Sequence, residues 1–137
     1  MAITKIVPES YKEWVVGQFS SHSFKLILID DSIVFDAATH GKLSDVSSAE
    51  LSTGNGYVSG GYTLSGAATS TESGNVVLSW DNTVVTANGG DIGPFHTAVI
   101  IDDTTDYDLI LAGIDLGQNE TVPDGKSYLF ANISVEI

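Results

Sequence analysis

The stretch FKLILID at residues 24–30 is a short apolar run that leads into an acidic turn. A run of this length, bounded by turn-forming residues, is typical of a β-strand buried in a protein core. Residues 26–32, LILIDDS, are echoed by VIIDDTT at residues 99–105: an apolar strand, Ile-Asp-Asp and then a hydroxyl residue. Two copies of seven residues do not make a repeat architecture. We interpret each as a buried strand that runs out into solvent.

Further strand-like runs occupy most of the remaining chain. Val, Ile, Tyr, Phe and Thr dominate these runs, and Gly, Asn, Asp and Pro separate them. The predicted strands are NVVLSW (75–80), TVVTA (83–87), HTAVIID (96–102), LILAGIDL (109–116) and SYLFANISVEI (127–137), with weaker alternation in YVSGGYTLSG (57–66). The pair Asp81-Asn82 predicts a turn between the first two. Residues 32–51 lack a sustained period, and we expect an irregular excursion with a helical turn around 44–51.

One helix is predicted, at residues 8–19 (PESYKEWVVGQF). Pro8 suits the first helical turn. The aromatic and apolar side chains that share one face are Tyr11, Trp14, Val15 and Phe19. A helix followed by six to eight short strands predicts a mainly β fold, an antiparallel β-sandwich or small β-barrel with one short N-terminal α-helix. We expect an N-terminal arm at 1–7 and a single β-rich domain at 8–137, with the helix packed on it.

The stretch TGNGYVSGGYTLSG at residues 53–66 contains five glycines. A dinucleotide-binding loop needs G-x-G-x-x-G between a strand and a helix. Gly54 and Gly56 fit this spacing, but the third position is Ser59 and a strand-like run follows. We therefore interpret the stretch as a tight turn with positive φ, followed by a bend or bulge at Gly60-Gly61.

Nucleophilic catalysis has little support in the sequence. Cysteine is absent, and no serine lies in G-x-S-x-G. The chain has three histidines, His22, His40 and His96, and nothing in the sequence pairs them with a base and an orienting carboxylate. The aromatics Tyr57, Tyr62, Trp80 and Tyr107 are either a carbohydrate-stacking surface or, more commonly at strand positions, core and cross-strand partners. We expect no enzyme activity and no cofactor.

The loop DDTTDYD at residues 102–108 concentrates four carboxylates, those of Asp102, Asp103, Asp106 and Asp108. Calcium favours clustered carboxylates, but this spacing lacks the central glycine and distal glutamate of an EF-hand loop. The loop is therefore a weak calcium candidate, and a solvated acidic hairpin loop is the simpler interpretation.

Charge is the most informative bulk property. Eighteen acidic residues face five lysines, with no arginine, for a net charge of −13. Such a surface repels nucleic acid and anionic membranes. The charge is uneven, because residues 1–25 sum to +1 and the remainder to −14. No apolar run approaches the roughly 20 residues that span a bilayer, and the N-terminus lacks a basic cap followed by an apolar segment, so no secretory signal is expected.

The run at residues 24–66 resembles small structural proteins encoded in the head gene clusters of tailed phages and prophages. Their pattern is a strand ending in an acidic turn, then D-x-x-x-[HD]-x-x-x-S-D-V-S, then G-x-G-Y-x-x-G-G-x-x-L. The matching residues are Asp36, His40, Ser44–Ser47, Gly54, Gly56, Tyr57, Gly60, Gly61 and Leu64. The similarity continues to residue 137 and includes an I-D-L-G turn at 114–117 and a P-D-G-K hairpin at 123–126.

The resemblance implies a virion component, a capsid decoration (cement) protein that binds the outer surface of the phage head and stabilises the expanded lattice. It would be made in the host cytoplasm, bind the major capsid protein and form a homo-oligomer, a trimer because capsids offer local threefold sites. The N-terminal residues expected to grip the capsid are Ile3, Lys5, Ile6, Val7 and Lys12. The alternatives are a tail- or fibre-associated host-binding β-domain, a calcium-dependent glycan binder and a glycan hydrolase.

Overall fold

The computed structural model describes Trp14, residues 17–72 and residues 75–136, and nine strands lie within these ranges. The strands are β1 Phe24–Ile29, β2 Tyr62–Thr63, β3 Ala68–Glu72, β4 Asn75–Ser79, β5 Thr83–Thr86, β6 Ile92–Asp102, β7 Leu109–Val122, β8 Ser127–Phe130 and β9 Ser134–Glu136. All pairings between them are antiparallel. They form a sandwich-like fold and do not close into a barrel, which confirms the predicted fold class.

A four-stranded sheet in the order β2-β1-β6-β7 lies at the centre of the fold. The two echoing stretches of the sequence are direct neighbours in it, with Ile27 opposite Val99 and Leu28 opposite Ala98. The four residues Leu26–Ile29 are all fully buried. A strand covered on both faces needs apolar side chains at successive positions, and this explains why the run LILI does not alternate.

Different parts of the chain cover the two faces of this sheet. Leu26, Leu28 and Ile100 face the main core, which the strands of the second layer complete. Ile27, Ile29 and Val99 face the opposite side and are covered by the excursion between β1 and β2. Two single-turn 3-10 helices, Leu43–Asp45 and Ser47–Ala49, place Val46 and Ala49 against that side. The predicted helical turn around 44–51 is therefore confirmed.

The second layer corrects two predictions. It consists of β3-β4-β9 and β5-β8, so β4 and β5 do not pair with each other across Asp81-Asn82. The predicted strand at 127–137 is likewise two strands, broken where Asn132 has a φ of 56° and its N–H donates to Asn82 Oδ1. Strand β3 has the sequence ATSTE and was not predicted, because its small polar residues carry no apolar alternation.

Trp14 and residues 17–21 are helical, which agrees with the predicted helix where the structure describes it. The remainder of the predicted helix at 8–19 and the predicted arm at 1–7 lie outside the described residues. Phe19 is buried, and its ring centroid lies 5.1 Å from Phe24 and 5.3 Å from Trp80. No helix in the described part of the chain is long and apolar enough to cross a membrane.

Strands β6 and β7 form a long hairpin whose loop is the acidic stretch after Asp102. Two turns implied by the family resemblance have a different role. Gly117, with a φ of 78°, lies inside β7, where its N–H donates to Asp115 Oδ1. Residues Pro123–Lys126 form a turn closed by a 2.9 Å hydrogen bond, but this turn joins β7 to β8, which belong to different sheets and do not form a hairpin.

Candidate functional site

A polar groove of about 500 Å³ opens where β1 runs out of the central sheet. It is bordered by the acidic turn after β1, the loop around Asn55 and the start of β6. Its polar and charged lining residues are Asp30, Asp31, Ser32, Glu50, Ser52, Thr53, Asn55, Tyr57 and Asp91. Four of these are acidic, so the groove suits a neutral polar or a positively charged group.

Glu50 and Tyr57 form the hydrogen-bond network at the base of the groove. The Tyr57 hydroxyl donates to Glu50 Oε2 at 2.6 Å and accepts from the backbone N–H of Leu28 at 3.2 Å. Glu50 Oε2 also accepts from the N–H of Gly60 at 2.8 Å, and Oε1 from the Ser59 hydroxyl at 3.3 Å. The network ties β1, the 3-10 region and the glycine stretch together.

The environment of Tyr57 disfavours its ionisation. Its side chain is only 1% exposed. Burial, followed by the hydrogen bond to Glu50, raises the pKa of Tyr57 well above its ordinary value of 10.0. Tyr57 therefore stays protonated at neutral pH and acts as a fixed hydrogen-bond donor to Glu50.

The glycine stretch beside this network is a turn, as predicted. Gly54 and Tyr57 exchange two backbone hydrogen bonds, 2.8 and 3.0 Å long, around Asn55-Gly56. Both turn residues have positive φ, 58° and 105°, the pattern of a tight two-residue hairpin turn. Asn55 then anchors the turn, because its side-chain amide donates to the carbonyl of Asp91 at 2.9 Å.

Close packing requires a glycine at two positions of the stretch, Gly56 and Gly61. A Cβ at Gly56 would overlap the carbonyl oxygen of Thr86, and one at Gly61 would overlap that of Leu26. Gly60 and Gly61 both have positive φ and turn the chain into β2. The predicted bend at this pair is confirmed.

The other residues that carry the phage resemblance also support loops or fill the core. Asp36 Oδ1 accepts from the N–H of Ala38 at 2.9 Å, while His40 Nδ1 accepts from the N–H of Asp36 at 3.0 Å. Asp45 Oδ2 accepts from the N–H of Gly41, and this bond is the main cause that lowers the pKa of Asp45. Leu64 is 7% exposed and belongs to the main core.

Two of the four aspartates of the calcium candidate have partners outside the β6–β7 hairpin. Asp102 pairs with His22 through Oδ2 and accepts from the N–H of Thr104 through Oδ1. Asp103 lies 3.6 Å from the ammonium group of Lys25. Asp106 is exposed, and Asp108 has a φ of 50° in the turn. Within residues 17–72 and 75–136, no three His, Asp or Glu side chains are grouped so that they could hold a metal ion.

Two histidines have aspartate partners that sequence reasoning missed. His22 Nδ1 lies 2.5 Å from Asp102 Oδ2 and links the helical turn to the end of β6. His96 Nδ1 lies 3.3 Å from Asp115 Oδ1 and links β6 to β7. Both partners are distant in sequence, so only the strand pairing brings them together. Neither ring has a hydroxyl partner in the described part of the chain, and both pairs act as cross-links.

The four aromatics considered for glycan stacking do not share one surface. Tyr57 and Trp80 are buried in the main core, and Tyr62 packs edge-on against Tyr57 at 5.7 Å. Tyr107 is 70% exposed at the tip of the β6–β7 hairpin, with the Lys42 ammonium 5.6 Å from its ring centroid. The core interpretation therefore holds for the first three.

The candidate capsid-gripping residues Ile3, Lys5, Ile6, Val7 and Lys12 lie outside the described residues, so their prediction stands untested. Sequence reasoning also missed Glu50, which reaches across ten residues to Gly60 and carries no local motif. Comparison with protein-family models, curated proteins and solved structures finds no match to this chain. A functional assignment therefore depends on its own residues.

Proposed function

We propose that this chain is a structural protein of a tailed-phage or prophage virion, which decorates the outer surface of the head and stabilises the expanded capsid lattice. The observation that carries this proposal is the net charge of −13 without a single arginine. Packaged DNA repels such a surface, whereas the outside of a head tolerates it. The major capsid protein is the proposed partner.

The residues that match the phage-protein pattern have structural roles, and this supports a binding protein over an enzyme. Tyr57, Gly56 and Gly61 hold the turn and its close contacts, and Asp36 and Asp45 hold loops. Residues that fix turns and loops in this way make the domain rigid, as a protein that binds and stabilises a lattice requires. We therefore propose that the protein acts by binding and not by catalysis.

Binding to a capsid site also has a geometric consequence. Capsids offer local threefold positions, and three copies around such a position would share one binding geometry. We propose this trimeric arrangement for the head-bound protein. Residues 1–7, which lack the acidic excess of the rest of the chain, are proposed as the arm that grips the capsid subunits.

The decisive experiment mixes the purified protein with empty expanded heads of the phage whose genome encodes the chain, followed by cryo-electron microscopy. We expect extra density at defined lattice positions. Heads that show no added density at saturating protein concentration would refute the proposal. Unexpanded heads form the matched comparison and reveal whether expansion creates the site.

The arm is tested by removing residues 1–8. We expect the truncated chain to lose most of its occupancy on expanded heads. Circular dichroism melting of both chains serves as the folding control. Unchanged occupancy would show that the capsid contact lies elsewhere on the molecule.

The groove beside Glu50 favours one alternative, a tail- or fibre-associated host-binding domain, because its polar lining suits a neutral polar ligand such as a glycan. Copy number separates the two functions. A decoration protein is present in amounts comparable to the major capsid protein on a gel of purified virions, whereas a tail protein is sparse. The alternative of a calcium-dependent glycan binder is tested by calorimetric titration with calcium. It predicts heat of binding and a higher melting temperature in the presence of calcium.

A further inference from the structure

The outer face of the β5–β8 sheet presents two large apolar side chains to solvent. Val84 and Leu129 lie directly opposite each other in the register, and each is 55% exposed. The inner face of the same sheet does the packing, through Val85 and Phe130. Packing in the core therefore does not explain the valine and the leucine at the two outward positions.

The same face carries no charge. Its other outward residues, Thr86 and Ser127, satisfy each other through a 2.9 Å hydroxyl–hydroxyl hydrogen bond. All eight residues of β5 and β8 are uncharged, in a chain that has 18 acidic residues.

This combination identifies the kind of partner. A basic protein would be attracted to the acidic surface, so an uncharged patch offers it no advantage. A second copy of this chain carries the same net charge of −13, so the two copies repel each other. An uncharged patch is therefore the surface through which they can approach most closely. An isologous contact also brings the same residues of both copies together, which excludes a patch that carries one sign of charge.

We propose that two copies of this chain associate through the outer faces of their β5–β8 sheets, with Val84 and Leu129 of each copy packed against those of the other. Two sheets that pack in this way lie about 10 Å apart. The contact is two-fold and forms in the free protein, so it is separate from any threefold arrangement imposed by a capsid site. It does not depend on the proposed capsid function.

The size of the face sets the strength of the contact. Four outward residues from each copy bury less than the roughly 1,000 Å² typical of stable specific complexes. The association is therefore weak and requires protein concentrations on the order of 0.1–1 mM to be populated. A high local concentration, as on a particle surface, would favour it.

Sedimentation equilibrium of the full chain in 0.05 and 0.5 M NaCl tests the proposal. We expect the average mass to rise with protein concentration from 14.4 kDa towards twice that value, and to rise further at the higher salt concentration, because salt screens the repulsion between the copies. A mass of one chain throughout, a mass that tends towards three chains, or association that salt abolishes would each overturn it.

Substitutions locate the contact. Leu129→Glu places a charge in the centre of the face and should weaken association at least about tenfold. Val34→Glu adds the same charge at a residue that is 83% exposed and lies outside this face, and it should leave association nearly unchanged. Val84→Thr keeps the β-branched shape, removes apolar surface and should weaken association without changing the melting temperature.

Equal association of Leu129→Glu, Val84→Thr and the unsubstituted chain would overturn the proposal, as would equal weakening by Val34→Glu. If Leu129→Glu does not fold, Val84→Thr decides. The same variants can be applied to expanded heads. If the unsubstituted chain does not bind expanded heads, the capsid function is refuted, and the inferred association between two copies is unaffected.

Discussion

Tyr57 joins three separate parts of the chain through one hydroxyl group. It donates to Glu50 and accepts from Leu28, while its own backbone closes the turn with Gly54. The hydroxyl is buried, so each of its partners depends on it for a hydrogen bond that water does not readily replace. At the residue scale, the Tyr57 hydroxyl holds Glu50 and the end of β1 in position at the base of the groove.

Tyr57→Phe should lower the free energy of unfolding by about 1–3 kcal/mol, because the buried N–H of Leu28 is left without a partner. Urea unfolding monitored by circular dichroism measures the loss. Tyr107→Phe is the matched control, since Tyr107 is 70% exposed, and we expect almost no effect there. Equal losses would show that the network contributes nothing specific.

Tyr57 also predicts an alkaline limit to stability. Because its pKa is raised in the folded protein, the unfolded chain releases this proton first as the pH rises above 10.0. The unfolded state then binds fewer protons, so the free energy of unfolding falls with rising pH in this range. The fall should be shallower for Tyr57→Phe than for the unsubstituted chain in melting curves recorded from pH 9 to 11.

Adjacent glycines separate backbone strain from steric overlap. Gly60 and Gly61 both have positive φ, but only a Cβ at Gly61 would meet another atom, the Leu26 backbone carbonyl. We expect Gly60→Ala to cost about 1–2 kcal/mol from backbone strain alone. Gly61→Ala should cost clearly more in the same urea unfolding measurement. Similar costs for both would mean that β1 shifts to admit the methyl group.

At the scale of elements, β1 depends on the excursion that follows it. Residues 49–51 run beside the end of β1, where Asp30 N–H donates to Ala49 and Leu51 N–H to Leu28. The 3-10 turns then place Val46 against Ile27 and Ile29, which are fully buried on the second face of the central sheet. An irregular segment here has the role that a helix has in other layered folds.

Val46→Ala tests this dependence. Val46 is fully buried, and its truncation leaves a cavity against β1, which should lower the free energy of unfolding by about 1–3 kcal/mol. Val34→Ala removes the same atoms from an 83% exposed position and should have little effect. A small effect at Val46 would show that the excursion can collapse onto the sheet.

For the whole molecule, the net charge of −13 opposes compaction, because folding brings the acids closer together. Added NaCl should therefore raise the melting temperature, with most of the rise complete by about 0.5 M, where the Debye length is only a few ångströms. Differential scanning calorimetry at low protein concentration measures the shift without self-association. A flat response would mean that ion pairs such as Lys25–Asp103 balance the repulsion.

The sequence alone determined the mainly β class, the buried strand within residues 24–30, the turn at Gly54–Gly56 and the acidic hairpin loop. Each of these depends on local chemistry: apolar runs, β-branched side chains and glycines that accept positive φ. Only the tertiary structure decided that β1 pairs with β6, that β4 and β5 separate into different pairings, and that Glu50 meets Tyr57 and Gly60. Strand pairing and side-chain networks join residues far apart in the chain, so no local pattern encodes them.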